Sequence, residues 1–344
     1  ATRINYDMLT YLPGDIETMV GQDILMDEFG KGAFSFVVIE DMTEKEVAAL
    51  REQIEEVDHV ATVLWYDSVM DLSVPMEMLP NEYYDIFNSE HATMMAVFFD
   101  TSTSADETLE AAAEIKRLAG EQCFVSGMTA MVADLKELCE REEIIYVVLA
   151  VVLSCVVMTA FLDSWALPVI FLISIGMAIL LNMGTNIFFG EISFLTQALA
   201  AVLQLAVTMD YSIFLWHSYL EQQERFEGDK KRAMAHAIKV TITSVIGSSI
   251  TTVAGFIALC FMSYALGLDL GVVMAKGVVF GVIGCVTILP SMILVLDKLI
   301  AKTRHRPLMP DFGKLVRFVV KRYPVFLVLF ALILPIAYYG YDKA

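Results

Sequence analysis

Hydrophobic and polar positions follow two different rhythms along this chain, and the rhythm changes near residue 141. In the first stretch, short apolar runs alternate with amphipathic segments. Ala33 to Ile39 (AFSFVVI) reads as a buried strand, and Thr43 to Glu56 has the spacing of an amphipathic helix. Val60 to Tyr66 is strand-like, Pro80 to Asn88 helical, and His91 to Phe99 strand-like again. Asp106 to Leu118 reads as a helix and Cys123 to Ser126 as a short last strand. Two βαβ-like halves of this size predict a compact α+β domain of ferredoxin-like character.

From Ile144 onward the alternation gives way to long uncharged runs. A helix needs about 20 apolar residues, at about 1.5 Å each, to cross a hydrocarbon core of about 30 Å. Six stretches meet that length, at about 144–162, 166–188, 194–217, 240–263, 270–296 and 323–341. The expected plan is an α+β domain over 1–141, five membrane helices over 142–298, a linker over 299–322 and a further membrane helix over 323–344. Within the linker, Lys302 to Asp311 (KTRHRPLMPD) is polar and carries two prolines.

Composition sharpens this picture. The chain is 57% hydrophobic, with a mean hydropathy of +0.63, too apolar for an ordinary soluble protein. Its net charge of −19 comes from the first stretch, with clusters such as Glu52, Glu55, Glu56, Asp58 and Asp106, Glu107, Glu110. Such a surface neutralises no phosphates, which excludes a nucleic-acid partner. The plain reading is a solubilising outer face; attraction of cationic substrates is the sharper one. Arg225, Lys230, Lys231 and Arg232 follow the third membrane stretch, and Lys298, Lys302, Arg304, Arg306, Lys314, Arg317, Lys321 and Arg322 precede the sixth. The loops around 189–193 and 264–269 carry no Lys or Arg. The positive-inside rule therefore puts the basic segments in the cytoplasm and residues 1–141 on the extracytoplasmic side of the cell membrane. The mixed-charge segment Leu220 to Ala237 is expected to lie along the cytoplasmic membrane surface.

The five cysteines have no metal-binding spacing, and Cys123 and Cys139 leave one disulfide open. The first stretch has no Gly-rich phosphate loop, nucleophile elbow or metal-binding helix. No catalytic residue, metal or cofactor is expected, and the chain reads as a non-enzyme. No signal peptide precedes Ala1, so a preceding membrane helix is expected to be missing.

One residue stands out chemically. Asp210 lies within Leu203 to Leu215 (LQLAVTMDYSIFL), deep in a membrane stretch, where a carboxylate costs at least about 2.5 kcal/mol. Such residues usually face a bundle interior or a pathway, and desolvation favours their proton-bound form. Tyr211 can exchange a hydrogen bond beside it. The plain alternative is a neutral Asp held for packing. The next helix carries Thr241, Thr243, Ser244, Ser248, Ser249, Thr251 and Thr252, of which Ser248 and Ser249 are the candidate relay or packing neighbours. Gln204, two turns before Asp210, is another. Lys276 either snorkels outward or pairs with a carboxylate. His217, seven residues after Asp210, shares its face and either feeds protons to it or is an ordinary interfacial residue.

The run Ala206 to Leu215 (AVTMDYSIFL), followed by a charged loop and a Ser/Thr-rich helix, resembles the MMPL family of the RND superfamily. The opening Ile4 to Pro13 (INYDMLTYLP), Gly267 to Gly271 (GLDLG) and Leu289–Pro290 fit the same pattern. The resemblance implies a polytopic α-helical bundle with an extracytoplasmic porter domain, duplicated in a second half. It also implies that Asp210 and Tyr211 form a proton relay. This chain would then be a first half without its first helix, together with the helix that opens the second half. A similarity extends to the five-helix block of sterol-sensing-domain proteins, although Ala206 stands where their GxxxD glycine would be. The expected function is export of lipids or amphiphilic compounds driven by the proton-motive force. Its partners would be that substrate, protons, membrane lipids, and a second half or further copies of the chain. The alternative is a lipid sensor or scaffold that does not pump.

Overall fold

The computed structural model describes residues 3–6, 9–30, 32–68, 81–89, 91–103, 105–120, 122–308 and 312–343. The chain begins with β1 (Arg3–Asn5), α1 (Glu17–Phe29), β2 (Ala33–Glu40), α2 (Glu44–Glu55) and β3 (Val60–Leu64). It continues through α3 (Asn81–Phe87), β4 (Asn88–Ser89), β5 (Ala92–Phe99), α4 (Asp106–Ala119) and β6 (Cys123–Ser126). The long helices are α5 (Met128–Phe161), α6 (Ala166–Gly184), α7 (Phe194–Arg225), α8 (Lys230–Leu259) and α9 (Leu266–Val286), with β7 (Glu191–Ser193) leading into α7. Three short helices follow, α10 (Ile288–Val295), α11 (Asp297–Lys302) and α12 (Gly313–Lys321), and then α13 (Tyr323–Lys343).

The α/β unit forms because β2 alternates strictly. Ala33, Ser35, Val37 and Ile39 are buried, while the residues between them turn away. The antiparallel sheet runs β3-β5-β2-β6, with β4 hydrogen-bonded to β5. Each helical crossover therefore skips one strand, with α2 joining β2 to β3 and α4 joining β5 to β6. Val47, Leu50 and Ile54 of α2 and Ile115 of α4 close the core over Val37, Val97 and Phe99. A capping box starts α2, in which Thr43 N–H donates to Glu46 Oε2 at 2.8 Å. All the strands and helices expected here are present within a few residues. Pro80 lies outside the described residues. The helix α1 was not legible, because none of its residues is buried and its apolar positions mark no single face.

No linker separates this unit from the bundle. The first membrane helix was expected to begin near 144, but α5 already starts at Met128, and its first turn buries Thr129, Ala130 and Val132 in the α/β unit. Thr129 Oγ1 donates to Phe34 O at 3.0 Å. The helix has 34 residues, about 51 Å at 1.5 Å each, well beyond a core of about 30 Å. The first spanning helix therefore grows directly out of the sheet.

Among the described residues, six helices are long and apolar enough to cross a membrane. α9 sits centrally against α6, α7 and α8, and α10 continues its span after a break at Thr287. The segment expected on the membrane surface instead completes α7 and opens α8, joined by a tight turn. Glu227 (φ 48°) and Gly228 (φ 90°) take left-handed conformations there, and Asp229 Oδ1 caps α8 by accepting from Arg232 N–H at 3.1 Å. All five cysteines are unbridged. Cys123 belongs to the sheet core and Cys139 packs beside a different cluster around Tyr6.

Gly127 makes the turn from β6 into α5 at φ 104° and ψ 177°, a region open essentially to glycine alone. A Cβ there would lie 3.1 Å from Ser35 Cα. Gly127→Ala is expected to cost about 1–3 kcal/mol, read as a lower thermal midpoint of the detergent-solubilised protein. An unchanged midpoint would show that the turn relaxes freely.

Candidate functional site

The candidate site is built along α7. Its first turn is fixed by Asp269 of α9, which accepts from Ser193 N–H at 2.7 Å and Thr196 Oγ1 at 2.8 Å. A carboxylate is favourable at that end, where unpaired N–H groups carry partial positive charge. Further along, Gln204, Thr208, Tyr211 and Ser212 are all buried on the side facing α6, α8 and α9.

Tyr211 and Asp210 point different ways. The Tyr211 side chain is buried, and its hydroxyl accepts a hydrogen bond from Ser249 Oγ of α8 at 3.0 Å. Asp210 is exposed. It lies on a stripe with Leu203, Ala206, Phe214 and His217, all exposed on the outer side of α7. A carboxylate in an apolar run was expected to face a bundle interior or a pathway, and Asp210 does not face the interior of this bundle. Adjacent helical residues are about 100° apart, so packing Tyr211 against Ser249 turns Asp210 outward. Ser248 repeats the pattern on α8: it is exposed, while the next residue, Ser249, is buried. The buried serine, Ser249, therefore bonds Tyr211 rather than Asp210.

The remaining candidates scatter. Gln204 Oε1 accepts from Asn182 Nδ2 of α6 at 2.9 Å, forming a buried amide pair one turn nearer the α/β unit than Thr208. Lys276 is half-buried, donates to Asn186 Oδ1, and lies 4.9 Å from the centroid of the Phe189 ring. This cation–π contact takes the place of the carboxylate considered for it. His217 is exposed and, among the described residues, has no hydrogen bond or ion pair.

Three features were missed in the sequence. Asn182 and Asn186 are uncharged polar residues in an apolar run, a signal weaker than a carboxylate. Asp163, in the short turn between α5 and α6, accepts from Trp216 Nε1 of α7 at 3.0 Å and from Arg304 Nε at 3.1 Å. It ties α7 to the segment after α11 at the end of the bundle away from the sheet. Lastly, the glycines of α9 make room for the polar groups. A Cβ on Gly277 would lie 2.7 Å from Asn182 Nδ2, and one on Gly281 would lie 2.5 Å from Thr208 Oγ1.

Comparison with known proteins places the chain among membrane proteins. The model of the MMPL family matches residues 29–324, most of the chain. ActII-3, a membrane protein of Streptomyces coelicolor, is 24% identical over 294 residues, 76% of this chain and 41% of that protein. The membrane protein MJ1562 of Methanocaldococcus jannaschii is 33% identical over 94 residues, 27% of this chain and 24% of its own length. The chain thus spans less than half the length of these curated relatives. Among solved structures, SecDF, a translocon-associated membrane protein from Thermus thermophilus, aligns with a TM-score of 0.45 and 15% identity, covering 85% of this chain and 37% of that one.

The tight fit at Gly281 gives a paired test. Gly281→Ala should lower stability by about 1–3 kcal/mol through overpacking. Adding Thr208→Ala, which removes the clashing atoms, should recover most of that loss in thermal unfolding of the solubilised protein. Additive losses in the double variant would contradict this packing.

Proposed function

The chain belongs to the MMPL family, and we propose that it is part of a proton-driven exporter of lipids or other amphiphilic compounds, with Asp210 and Tyr211 as the proton relay. The observation that carries this reading is the divergence of the pair: Tyr211 is bonded inside the bundle, and Asp210 is presented on its outer surface. A lone carboxylate at mid-membrane depth is too costly to leave against lipid tails, so a second helical surface covers it. The outer side of α8 suits such a contact, because Ser244, Gly247, Ser248, Thr251 and Gly255 are small, exposed and fall on one helical stripe. A second half of the transporter, or a second copy of the chain, fits there and brings the relay its further partners.

In this mechanism a proton reaching Asp210 removes its charge and with it the demand for polar partners across that contact. The two protonation states then favour different packings of α7, which is what a transport cycle needs. The α/β unit acts as a ferredoxin-like porter domain outside the cell, an orientation supported by the basic turn after α7 and the basic segment before α13. Tyr6, just after β1, and Phe194 at the start of α7 stack at 5.7 Å and pack with Leu109 of α4, giving α7 a direct contact with that unit. Burial, reinforced by the Glu140 carboxylate, pushes the Tyr6 phenol up to about 12, so it stays protonated and able to donate to Glu140 at 3.4 Å.

The experiment is proton-dependent export by the full-length protein in reconstituted vesicles. Asp210→Asn should abolish it without lowering thermal stability, and undiminished export would sink the proposal. Tyr211→Phe should slow it about 10²-fold, the low end of what a positioned proton-transfer group contributes. Lipid binding that survives Asp210→Asn, with no proton flux in the unaltered protein, would favour the non-pumping sensor instead.

A further inference from the structure

Like α1 and α13, α12 has no buried residue. Its pattern is nonetheless strongly two-sided. Phe312, Leu315, Val316 and Val319 fall on one side of the helix, and Lys314, Arg317 and Lys321 on the opposite side, with Arg322 closing the last turn. Both sides are exposed. A helix of 9 residues is marginal in water on its own, so something outside the described structure has to hold its apolar side.

The surroundings narrow what that is. A single residue, Arg322, separates α12 from α13, which is long and apolar enough to cross a membrane. Phe318 packs edge-on against Phe326 in the first turn of α13, with ring centroids 5.8 Å apart. This contact keeps α12 at the entry to that span. The Arg322 guanidinium lies 5.8 Å from the centroid of the Phe318 ring, and Arg317 Nε donates to Gly313 O at 3.2 Å. Among the described residues none of the four cations forms an ion pair. The segment therefore holds four uncompensated positive charges beside an uncovered apolar side, at the edge of a membrane helix.

We propose that α12 lies in the plane of the bilayer surface and binds anionic lipid headgroups. Its apolar side enters the boundary between headgroups and acyl chains, as amphipathic helices with Lys/Arg on the polar side do. A helix about 10–12 Å across, sunk to that depth, keeps its cations within the headgroup layer, where they meet lipid phosphates. The linker thus becomes an anchor that fixes the height of α13 and favours membranes of negative surface charge. None of this depends on the proton relay.

Hydrogen–deuterium exchange of the full-length protein in nanodiscs tests the proposal. Amides of 314–321 should exchange more slowly in phosphatidylcholine discs containing phosphatidylglycerol than in phosphatidylcholine alone. The difference should shrink about fivefold for each cation removed, as in Lys314→Gln, Arg317→Gln and Lys321→Gln, and should weaken at high salt. Val316→Ser with Val319→Ser should speed exchange in both lipids while amides of α7 stay protected, which separates lost docking from lost folding. Equal exchange in the two lipids would overturn the proposal. Protection of 314–321 that survives Val316→Ser with Val319→Ser would overturn it too, because the apolar side would then not be what docks α12.

Discussion

Hydrocarbon offers no partner to a hydrogen-bonding group, and the centre of this bundle is arranged around that constraint. The polar residues of α6 and α7 turn toward one another or toward α8 and α9: Asn182 to Gln204, Tyr211 to Ser249, Ser193 and Thr196 to Asp269. Such short contacts require backbones to approach closely, and α9 supplies the approach. A Cβ on Gly267 would lie 2.6 Å from Leu259 O, and one on Gly271 would lie 2.5 Å from Phe256 O, so one side of α9 lies directly on the α8 backbone. Gly277 and Gly281 do the same for the amide pair and for Thr208. The glycines and the buried polar groups are two halves of one packing solution, which is why Thr208 and Gly281 are expected to be coupled energetically.

Under the same constraint Asp210 becomes informative. Gln204, Thr208, Tyr211 and Ser212 of α7 are turned into the bundle, whereas the carboxylate, the most expensive polar group in that stretch, is turned out. Tyr211 and Ser249 show that the inner side had a hydroxyl pair to offer at that level. The outward direction of Asp210 is thus a property of the helix phase, and phase is fixed by twelve buried residues along α7 rather than by the aspartate itself.

Much of this was legible along the chain, and the rest was not for specific reasons. Strands such as β2 and β5 announce themselves through alternation, and the spans through uncharged length. Asp210 was visible as a charge in an apolar run. Its direction was not, because neighbouring residues on a helix differ by about 100° and either Asp210 or Tyr211 can be the inner one until the packing of α8 is known. Ser248 and Ser249 were indistinguishable for the same reason. The parallel pairing of Arg3–Asn5 with Glu191–Ser193 joins segments almost two hundred residues apart, each only three residues long, and such short strands leave no periodic trace. The early start of α5 was hidden because its first turns are charged, as suits a helix that rises out of the membrane before joining a sheet.

Two rigid connections therefore link the spanning helices to the α/β unit. One is α5 itself, which enters the sheet without a break. The other is the short β1–β7 ladder at the start of α7, reinforced where Tyr6, Leu109, Val132 and Phe194 pack together. Gln197 of α7 donates to Glu143 of α5 at 3.0 Å just beside that cluster, so the two connections are braced against each other. A shift of α7 relative to α5 within the membrane cannot be absorbed by a flexible linker, since none lies between them. It has to appear as a displacement at Tyr6 and Phe194, where α4 and α5 meet the start of α7. In this architecture a change of charge at Asp210 can reach the far domain through packing alone.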